Sequence, residues 1–362
     1  MKLLVLAQIP PPLHGQSLMV RTLVEGLPAH GIALHHVNLR LSRDAADIGR
    51  WRLGKIFPVL GGSLRAVAAR FRHGCDALYY VPAPGKRGAL YRDWMVMLIC
   101  RPFFPRLVLH FHNGGLADWL AVRATAPERW LTRWLLGRAS LSIVLTPSLR
   151  RDAELLRPRR IEVVSNGIAD PNPEGTAPQR CPADSCQVLF LGLCSEGKGL
   201  FAAADAVLAA NDAAGRTAFR LTAAGSFPDA ATAQRFAELT RAHPDAIRHA
   251  GFVRGEAKNE LLRRSHCLCL PTRYPHEGQP LVLLEALAFD LPIIATGWHG
   301  ITDTLSGTTA ICVPRNDRQA LVSALQTVAR HPPLASGARA LFRQHYTREV
   351  HLQRMARTLR DL

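Results

Sequence analysis

The stretch that decides the fold is CLCLPTRYPHEGQPLVLLEAL, residues 267–287. Its first four residues, Cys267–Leu270, form a short apolar run that predicts a buried strand. Pro280 then precedes a second apolar run, and this position indicates the start of a helix because proline is tolerated in a first helical turn. A strand that leads through a loop into a helix is the repeating unit of α/β proteins. Two acidic residues, Glu277 and Glu285, flank the predicted helix start.

The same alternation of short apolar runs and amphipathic segments continues in both directions along the 362 residues. Strands are predicted at 2–7, 33–37, 77–81, 107–111, 141–145 and 161–164, and again at 187–192, 219–224, 247–252, 267–270, 292–295 and 310–313. A segment rich in proline and glycine, residues 169–178, separates the two series. We therefore expect an α/β protein with two Rossmann-like doubly wound domains, 1–170 and 171–346. A final helix over 347–362 is expected to cross back to the first domain.

Composition restricts the classes of protein to consider. Apolar residues make up 48% of the chain and charged residues 20%, which is typical of a globular protein. The net charge of +17 is uneven, with 25 Lys and Arg against 12 Asp and Glu in residues 1–180 and 20 against 16 in the remainder. A basic half is compatible with nucleic acid, an anionic membrane or acidic substrates. No nucleic-acid-binding module is recognisable, so no nucleic-acid partner is expected.

Two further compositional features bear on location. No run of about 18 apolar residues occurs, so a membrane-spanning helix is not expected. The eight cysteines include no C-x-x-C pair, which favours free thiols in a reducing cytoplasm.

The glutamates beside the predicted helix at Pro280 suggest a ligand. A helix start offers unpaired N–H groups and partial positive charge, which suit a pyrophosphate. Glu277 would then contact sugar hydroxyls, and Glu285 would contact a ribose diol. Two ordinary glutamates around a capped helix remain the alternative.

Three other loops follow predicted strands, where ligands bind in open α/β sheets. Residues 190–199, FLGLCSEGKG, pass from strand to helix through glycines and carry Lys198, which suits a phosphate unless it is simply solvated. Residues 109–115, LHFHNGG, place His110 and His112 on one side of a strand end. The alternatives to a ligand-binding role are a structural role and a zinc site. No further residues at the spacing of zinc ligands accompany the two histidines. Residues 8–17 form a proline-rich loop in which Gly15 allows close backbone approach.

Together these motifs resemble the family-4 retaining glycosyltransferases of bacteria, whose GT-B fold pairs two Rossmann-like domains facing a central cleft. The resemblance covers nearly the whole chain and is densest from 186 to 304. It also includes VVSNGI at 163–168 and GFV at 251–253. The resemblance implies catalytic roles for His112, Glu277 and Lys198. It implies a donor site formed by Gly15, Gln16, Gly192, Lys198, Gly199, Arg254, Arg273, Glu277, Gly278, Gln279, Pro280, Leu281 and Glu285, and an acceptor site that includes His14, His110 and Asn113.

One residue departs from the family pattern. Leu193 stands where the family usually has an arginine that contacts the donor diphosphate, and Arg273, Arg254 or the loop at Thr272 is a candidate to replace its charge. The chain has no Asp-x-Asp triplet, so we expect no metal site and metal-independent activity. No cofactor is expected beyond a nucleotide-sugar co-substrate, a UDP- or GDP-sugar.

The resemblance implies retaining transfer to a saccharide or lipid-linked acceptor in bacterial surface polysaccharide or lipopolysaccharide biosynthesis. Residues 51–72 mix basic and bulky apolar side chains, which is compatible with two interpretations. Either the segment makes peripheral contact with an anionic membrane, or it forms a helix whose apolar side is buried in the core. The expected location is cytoplasmic, including the inner face of the cytoplasmic membrane. Rival functions are nucleotide-sugar epimerisation or hydrolysis, a non-catalytic nucleotide-sugar-binding subunit and a basic nucleic-acid-binding protein.

Overall fold

The computed structural model describes residues 2–39, 56–176, 185–306, 310–330 and 337–362. Its contacts group the chain into two compact units. The first contains Met1–Gly167, Pro275–Gln279 and Arg348–Leu362, and the second contains Ile168–Tyr274 and Pro280–Thr347. The glutamate motif is thus divided, since Glu277 is grouped with the first unit and Glu285 with the second.

The first unit is built around a parallel sheet of six strands with the order β2-β1-β3-β4-β5-β6. Its strands are β1 (Lys2–Ala7), β2 (Ala33–Asn38), β3 (Ala77–Tyr80), β4 (Arg106–Phe111), β5 (Leu141–Val144) and β6 (Ile161–Val163). Its helices are α1 (Gly15–Gly26), α2 (Ile56–His73), α3 (Arg87–Cys100), α4 (Leu116–Val122), α5 (Ala126–Leu136), α6 (Arg150–Glu154) and the C-terminal α14 (Arg348–Arg360).

Helices cover both faces of this sheet. Side chains of α2, α3 and α5 join alternate strand residues such as Leu4 and Leu78 in one buried cluster. Side chains of α1 and α14 join the intervening residues, such as Leu3 and Tyr79, in a second cluster on the other face. The division follows from the strand geometry, because successive side chains point to opposite faces. Contacts of α14 thus lie within the first unit, where Leu352 packs against Gly26.

The second unit contains another six-stranded parallel sheet, with the order β12-β11-β10-β7-β8-β9. Its strands are β7 (Cys186–Leu191), β8 (Phe219–Ala224), β9 (Ile247–His249), β10 (Cys267–Leu270), β11 (Ile293–Thr296) and β12 (Ile311–Val313). Its helices are α7 (Leu200–Ala214), α8 (Ala230–Ala242), α9 (Glu256–Arg264), α10 (Leu281–Ala288), α11 (Gly300–Leu305), α12 (Arg318–Arg330) and α13 (Ala338–His345).

The predicted α/β class with two Rossmann-like halves is confirmed. The predicted strand at 247–252 was wrong in its length, because β9 ends at His249. Gly251 follows with φ +73°, a left-handed conformation that no strand continues. Seven of the eight cysteines predicted as free thiols are described and unbridged, namely Cys75, Cys100, Cys186, Cys194, Cys267, Cys269 and Cys312. Cys181 lies outside the described residues.

Candidate active site

Two imidazoles lie side by side at the end of β4. The ring centroids of His110 and His112 are 4.1 Å apart, as their spacing along a strand predicts. His110 is fully buried, and its Nδ1 lies 2.6 Å from the Tyr79 hydroxyl. Burial lowers the pKa of His112 to about 3, with smaller effects from His351 and His14. Both strand-end imidazoles are therefore neutral near pH 7.

The C-terminal helix α14 adds a third buried imidazole. His351 Nδ1 lies 2.6 Å from the carbonyl oxygen of Ser165 and therefore donates the proton. Burial lowers the pKa of His351 to about 4, although this hydrogen bond opposes the shift. In the part of the chain that the structure describes, Nε2 of His110, of His112 and of His351 has no hydrogen-bond partner. Sequence analysis missed His351 because it lies far along the chain from β4.

The segment 275–279 packs within the first unit against the loop that follows β4. A Cβ atom at Gly278 would lie 2.2 Å from the backbone oxygen of His112, so only glycine fits this approach. His276 Nδ1 lies 3.2 Å from the Gly114 carbonyl oxygen. Glu277, between these two anchors, is buried. The structure therefore brings together Glu277 and His112, two residues with predicted catalytic roles.

A second anchor fixes the end of this segment. The Asn166 backbone N–H donates to Gln279 Oε1 at 2.7 Å, and Asn166 Nδ2 donates to the Gln279 carbonyl at 3.3 Å. Asn166 belongs to the VVSNGI motif, which is therefore connected to the glutamate motif through hydrogen bonds.

The start of α1 also reaches the loop after β4. Asn113 Nδ2 donates to Gln16 Oε1 at 3.3 Å. His14 caps α1 by accepting a hydrogen bond from the Ser17 backbone N–H, while the Ser17 hydroxyl accepts one from the His14 backbone. Burial lowers the pKa of His14, and Gly15 is the first residue of the helix. The predicted first-unit residues thus lie on three connected segments.

In the second unit, a glycine loop connects β7 to α7. Gly192 and Gly199 have φ values of +139° and +86°, which favour glycine. A Cβ atom at Gly199 would lie 2.2 Å from the Pro271 carbonyl oxygen, so this loop approaches the end of the neighbouring strand β10. Lys198 Nζ lies 5.1 Å from the centre of the Tyr274 ring. The loop thus positions its lysine beside the carboxyl ends of β7 and β10.

Glu285, on α10, forms an ion pair that the sequence did not predict. Lys258 Nζ, on α9, donates to Glu285 Oε1 at 2.5 Å, and the two side chains are mostly buried. Burial raises the pKa of Glu285, whereas the charge and hydrogen bond of Lys258 lower it. Lys258 therefore favours the ionised carboxylate in a poorly hydrated position.

The two arginines considered as substitutes for the residue at Leu193 differ in their surroundings. Arg273 is ion-paired with Glu196 and donates to Asn316 Oδ1 at 3.2 Å. Its charge is thus largely offset by a carboxylate. Arg254 is exposed, as is Leu193.

The predicted residues fall into two groups, one in each unit. The first unit contains His14, Gly15, Gln16, His110, His112, Asn113, Glu277, Gly278 and Gln279, and the second contains Gly192, Lys198, Gly199, Arg254, Arg273, Pro280, Leu281 and Glu285. Among the described residues, no group of three or more His, Cys, Asp or Glu could hold a metal ion.

The chain resembles one known protein family and several solved structures. Residues 185–331 match the family described as "Glycosyl transferases group 1". No curated protein matches the sequence. Sucrose-phosphate synthase from Thermosynechococcus elongatus is a similar solved structure, with 19% identity, a TM-score of 0.74 and coverage of 99% of this chain and 98% of that one.

Two other solved structures show the same architecture. HepE from Anabaena in complex with UDP has 18% identity, a TM-score of 0.72 and full coverage of both chains. The α,α-trehalose 6-phosphate synthase from Burkholderia multivorans has 12% identity, a TM-score of 0.71 and coverage of 100% of this chain and 98% of that one. These similarities show a GT-B fold. The group 1 domain at 185–331 supports the predicted enzyme class, and the chain is a glycosyltransferase.

Proposed function

We propose that this glycosyltransferase is a family-4 enzyme of bacterial origin that moves a sugar from a nucleotide-sugar donor with retention of configuration. The observation that carries the proposal is the packing of Gly278 against the His112 backbone, which holds the buried Glu277 beside the strand-end histidine. UDP and UDP-glucose in complexes of Anabaena HepE make a uridine donor the first to test, before a GDP-sugar.

The charges of the proposed donor site suit a nucleotide diphosphate. Lys198 would offset the phosphate charge that increases as the sugar leaves, and preorganised cations of this kind stabilise a departing oxyanion. Glu285 would accept hydrogen bonds from the ribose diol, which an ionised carboxylate does with both oxygens. Lys258 favours that ionised form.

Residues of the first unit would act on the transferred sugar. Glu277 would accept hydrogen bonds from sugar hydroxyls, and neutral His112 would contribute a hydrogen bond without adding a positive charge. The acceptor hydroxyl would attack from the face that the diphosphate leaves, so that the sugar carbon gains the acceptor oxygen, while the diphosphate departs with the bonding electrons and takes up the hydroxyl proton. His14, His110 and Asn113 are proposed on the acceptor side.

We also propose metal-independent transfer to a saccharide or lipid-linked acceptor in bacterial surface polysaccharide or lipopolysaccharide biosynthesis. No helix in the described ranges has the length and apolar character needed to span a membrane. Transfer should continue in EDTA, and loss of activity that Mg²⁺ restores would contradict metal independence.

The test of the proposed function is Glu277→Gln, which keeps the shape of the side chain and removes its charge. Loss of hydrogen bonds to a charged group predicts a fall in turnover of about 10- to 100-fold. Binding of UDP, measured by calorimetry, should change little because Glu277 contacts the sugar. Glu238→Gln, on the exposed side of α8, is the matched control.

Two results would contradict the proposal. One is unchanged turnover of Glu277→Gln with a donor that the wild type uses. The other is complete conversion of donor to free sugar or to an epimer, with no transfer product for any saccharide or lipid-linked acceptor, which would favour the rival hydrolase or epimerase.

A further inference from the structure

Nine exposed apolar side chains lie on one helical layer of the first unit. They belong to α2, α3, the end of α4, α5 and the segment after α3, and they are Phe57, Leu64, Phe71, Tyr91, Leu98, Phe103, Val122, Trp130 and Trp134. We call this outward side of the layer the aromatic face. Phe57 is 78% exposed, Trp130 65% and Trp134 59%. An exposed apolar set of this size marks a surface that binds something.

The three helices present the aromatic face on the same side of the sheet. Val59 and Ala66 of α2, Val96 of α3 and Leu135 of α5 all belong to the buried cluster on one sheet face. Their opposite sides therefore point away from the sheet together. On α2, Phe57, Leu64 and Phe71 recur every seven residues, which places them along one line of the helix. Helix α2 thus has an apolar side in the core and another apolar line in solvent.

The exposed charges on helices α2, α3 and α5 are all positive. Among the residues of α2, α3 and α5 the carboxylates are Asp93 and Glu128, and both are buried. Asp93 is paired with Arg92 and Glu128 with Arg87. These three helices therefore expose no acidic side chain, and the exposed Asp118 of α4 is ion-paired with Arg151.

Exposed arginines lie among the apolar residues. Arg65 and Arg72 on α2 and Arg133 on α5 are exposed, and none of them is ion-paired within the described ranges. The rings of Trp130 and Trp134 are stacked, with centroids 5.9 Å apart and planes inclined by 4°. This stacked pair of indoles, with Arg133 between them on α5, combines an apolar surface with a positive charge.

We propose that the aromatic face docks on the surface of an anionic lipid bilayer. Indole rings favour the boundary between water and acyl chains, and unpaired arginines are attracted to acidic headgroups. The same charge disfavours a second copy of the chain as the occupant, because two such faces would bring like charges together. On the opposite side, α1 and α14 include none of the exposed large apolar side chains among the described residues, while Leu13, just before α1, is 49% exposed.

The structure extends the membrane hypothesis made from residues 51–72. Residues 51–55 lie outside the described residues, whereas α3 and α5 were not part of that hypothesis. The docking proposal rests on the proposed function in one respect, the role of docking, which would be to bring the enzyme to a lipid-linked acceptor in the bilayer. Binding itself needs neither donor nor turnover, so the two proposals fail independently.

The experiment measures binding of the full-length protein to vesicles without donor. Vesicles of phosphatidylcholine alone are compared with vesicles that also contain phosphatidylglycerol, by sedimentation and by tryptophan fluorescence. We expect binding to the anionic vesicles only, weakening as salt increases.

Two sets of substitutions separate the contributions of charge and apolar contact. Arg65→Ser, Arg72→Ser and Arg133→Ser together should weaken binding about 100-fold, at about five-fold per arginine. Trp130→Ser with Trp134→Ser should weaken it by at least about tenfold, since each ring loses apolar burial. The controls are Arg357→Ser on the outer side of α14 and Phe252→Ser in the second unit, both exposed.

All variants should keep the Tm of the wild type, measured without donor, which shows that they are folded. Equal binding to both kinds of vesicle, or equal weakening in the control variants, would overturn the proposal. A concentration-dependent dimer that the tryptophan substitutions dissociate would also overturn it, because the face would then bind a second copy of the chain.

Discussion

Replacement of Lys258 by methionine tests the electrostatics of the second unit most directly. Lys258 Nζ lies 2.5 Å from Glu285 Oε1, and the two side chains are 24% and 15% exposed, respectively. Methionine preserves most of the side-chain volume but removes the charge. Glu285 then keeps the desolvation that raises its pKa and loses the group that lowers it.

The loss of folding free energy in Lys258→Met depends on how deeply the ion pair is buried. Removing one partner of a buried ion pair costs about 3–5 kcal/mol, whereas an exposed pair contributes about 0–1 kcal/mol. Because both side chains retain some contact with solvent, we expect a loss of about 2 kcal/mol at pH 7. For a folding unit of about 150–250 residues this corresponds to a fall in Tm of about 4–8 °C.

The difference in stability between Lys258→Met and the wild type should depend on pH. Burial already raises the pKa of Glu285 in the wild type, and in Lys258→Met this pKa should rise further above the unfolded value of about 4.3, so the protonated form is favoured more strongly in the folded variant. Stability tied to this raised pKa is fully present below the unfolded value and is lost as pH rises through the folded value. The difference in Tm from the wild type should therefore be largest near neutral pH and shrink toward pH 4.5.

Thermal unfolding from pH 4.5 to 8 measures this dependence. The double variant Lys258→Met with Glu285→Gln should recover part of the lost Tm, because no buried charge remains unpaired. Arg235→Met is the matched control, since its ion pair with Glu196 is largely exposed. A Tm for Lys258→Met equal to that of Arg235→Met, or a deficit that grows on acidification, would refute the reasoning.

Much of the fold could be predicted because buried parallel strands are short apolar runs with clear ends. The limits predicted for β1, β8 and β10 match the structure, and those of most other strands differ by one residue. The strand at β9 was predicted too long because the backbone conformation of Gly251 is not visible in an apolar run. Such conformations depend on the tertiary environment.

Site residues could be predicted where they follow strand ends. His112, Lys198 and Glu277 were proposed in this way, because ligands bind at the carboxyl ends of parallel strands, and their roles stay predictions. Lys258 and His351 were missed, since their partners Glu285 and Ser165 are 27 and 186 residues away in the chain. Only the packing of helices brings such pairs together.

The aromatic face shows a different limit. The periodicity of α2 and α5 predicts amphipathic helices, yet each has apolar residues on two sides. Sequence periodicity does not tell which apolar side meets the sheet. Trp130 and Trp134 would be assigned to the core by hydropathy alone, whereas the structure exposes both.

The remaining predictions concern backbone approach and buried imidazoles. Gly278→Ala should reduce turnover more than UDP affinity, because its Cβ would clash with the His112 backbone oxygen; steady-state kinetics with calorimetry measures both, and unchanged turnover would contradict the packing. Gly199→Ala should instead weaken UDP binding and lower Tm, because its φ of +86° and the nearby Pro271 carbonyl disfavour a side chain, and a wild-type Tm would contradict this. Acidification should destabilise the protein, since the pKa of His112 is lowered to about 3 and that of His351 to about 4. Stability tied to lowered pKa values is present above the unfolded value of about 6.5 and is lost as pH falls, by about 1.4 kcal/mol for each imidazole between pH 7.5 and 5.5. His351→Met should therefore show a shallower fall of Tm with acid than His243→Gln, an exposed control, and identical slopes would mean that His351 is protonated in the folded protein.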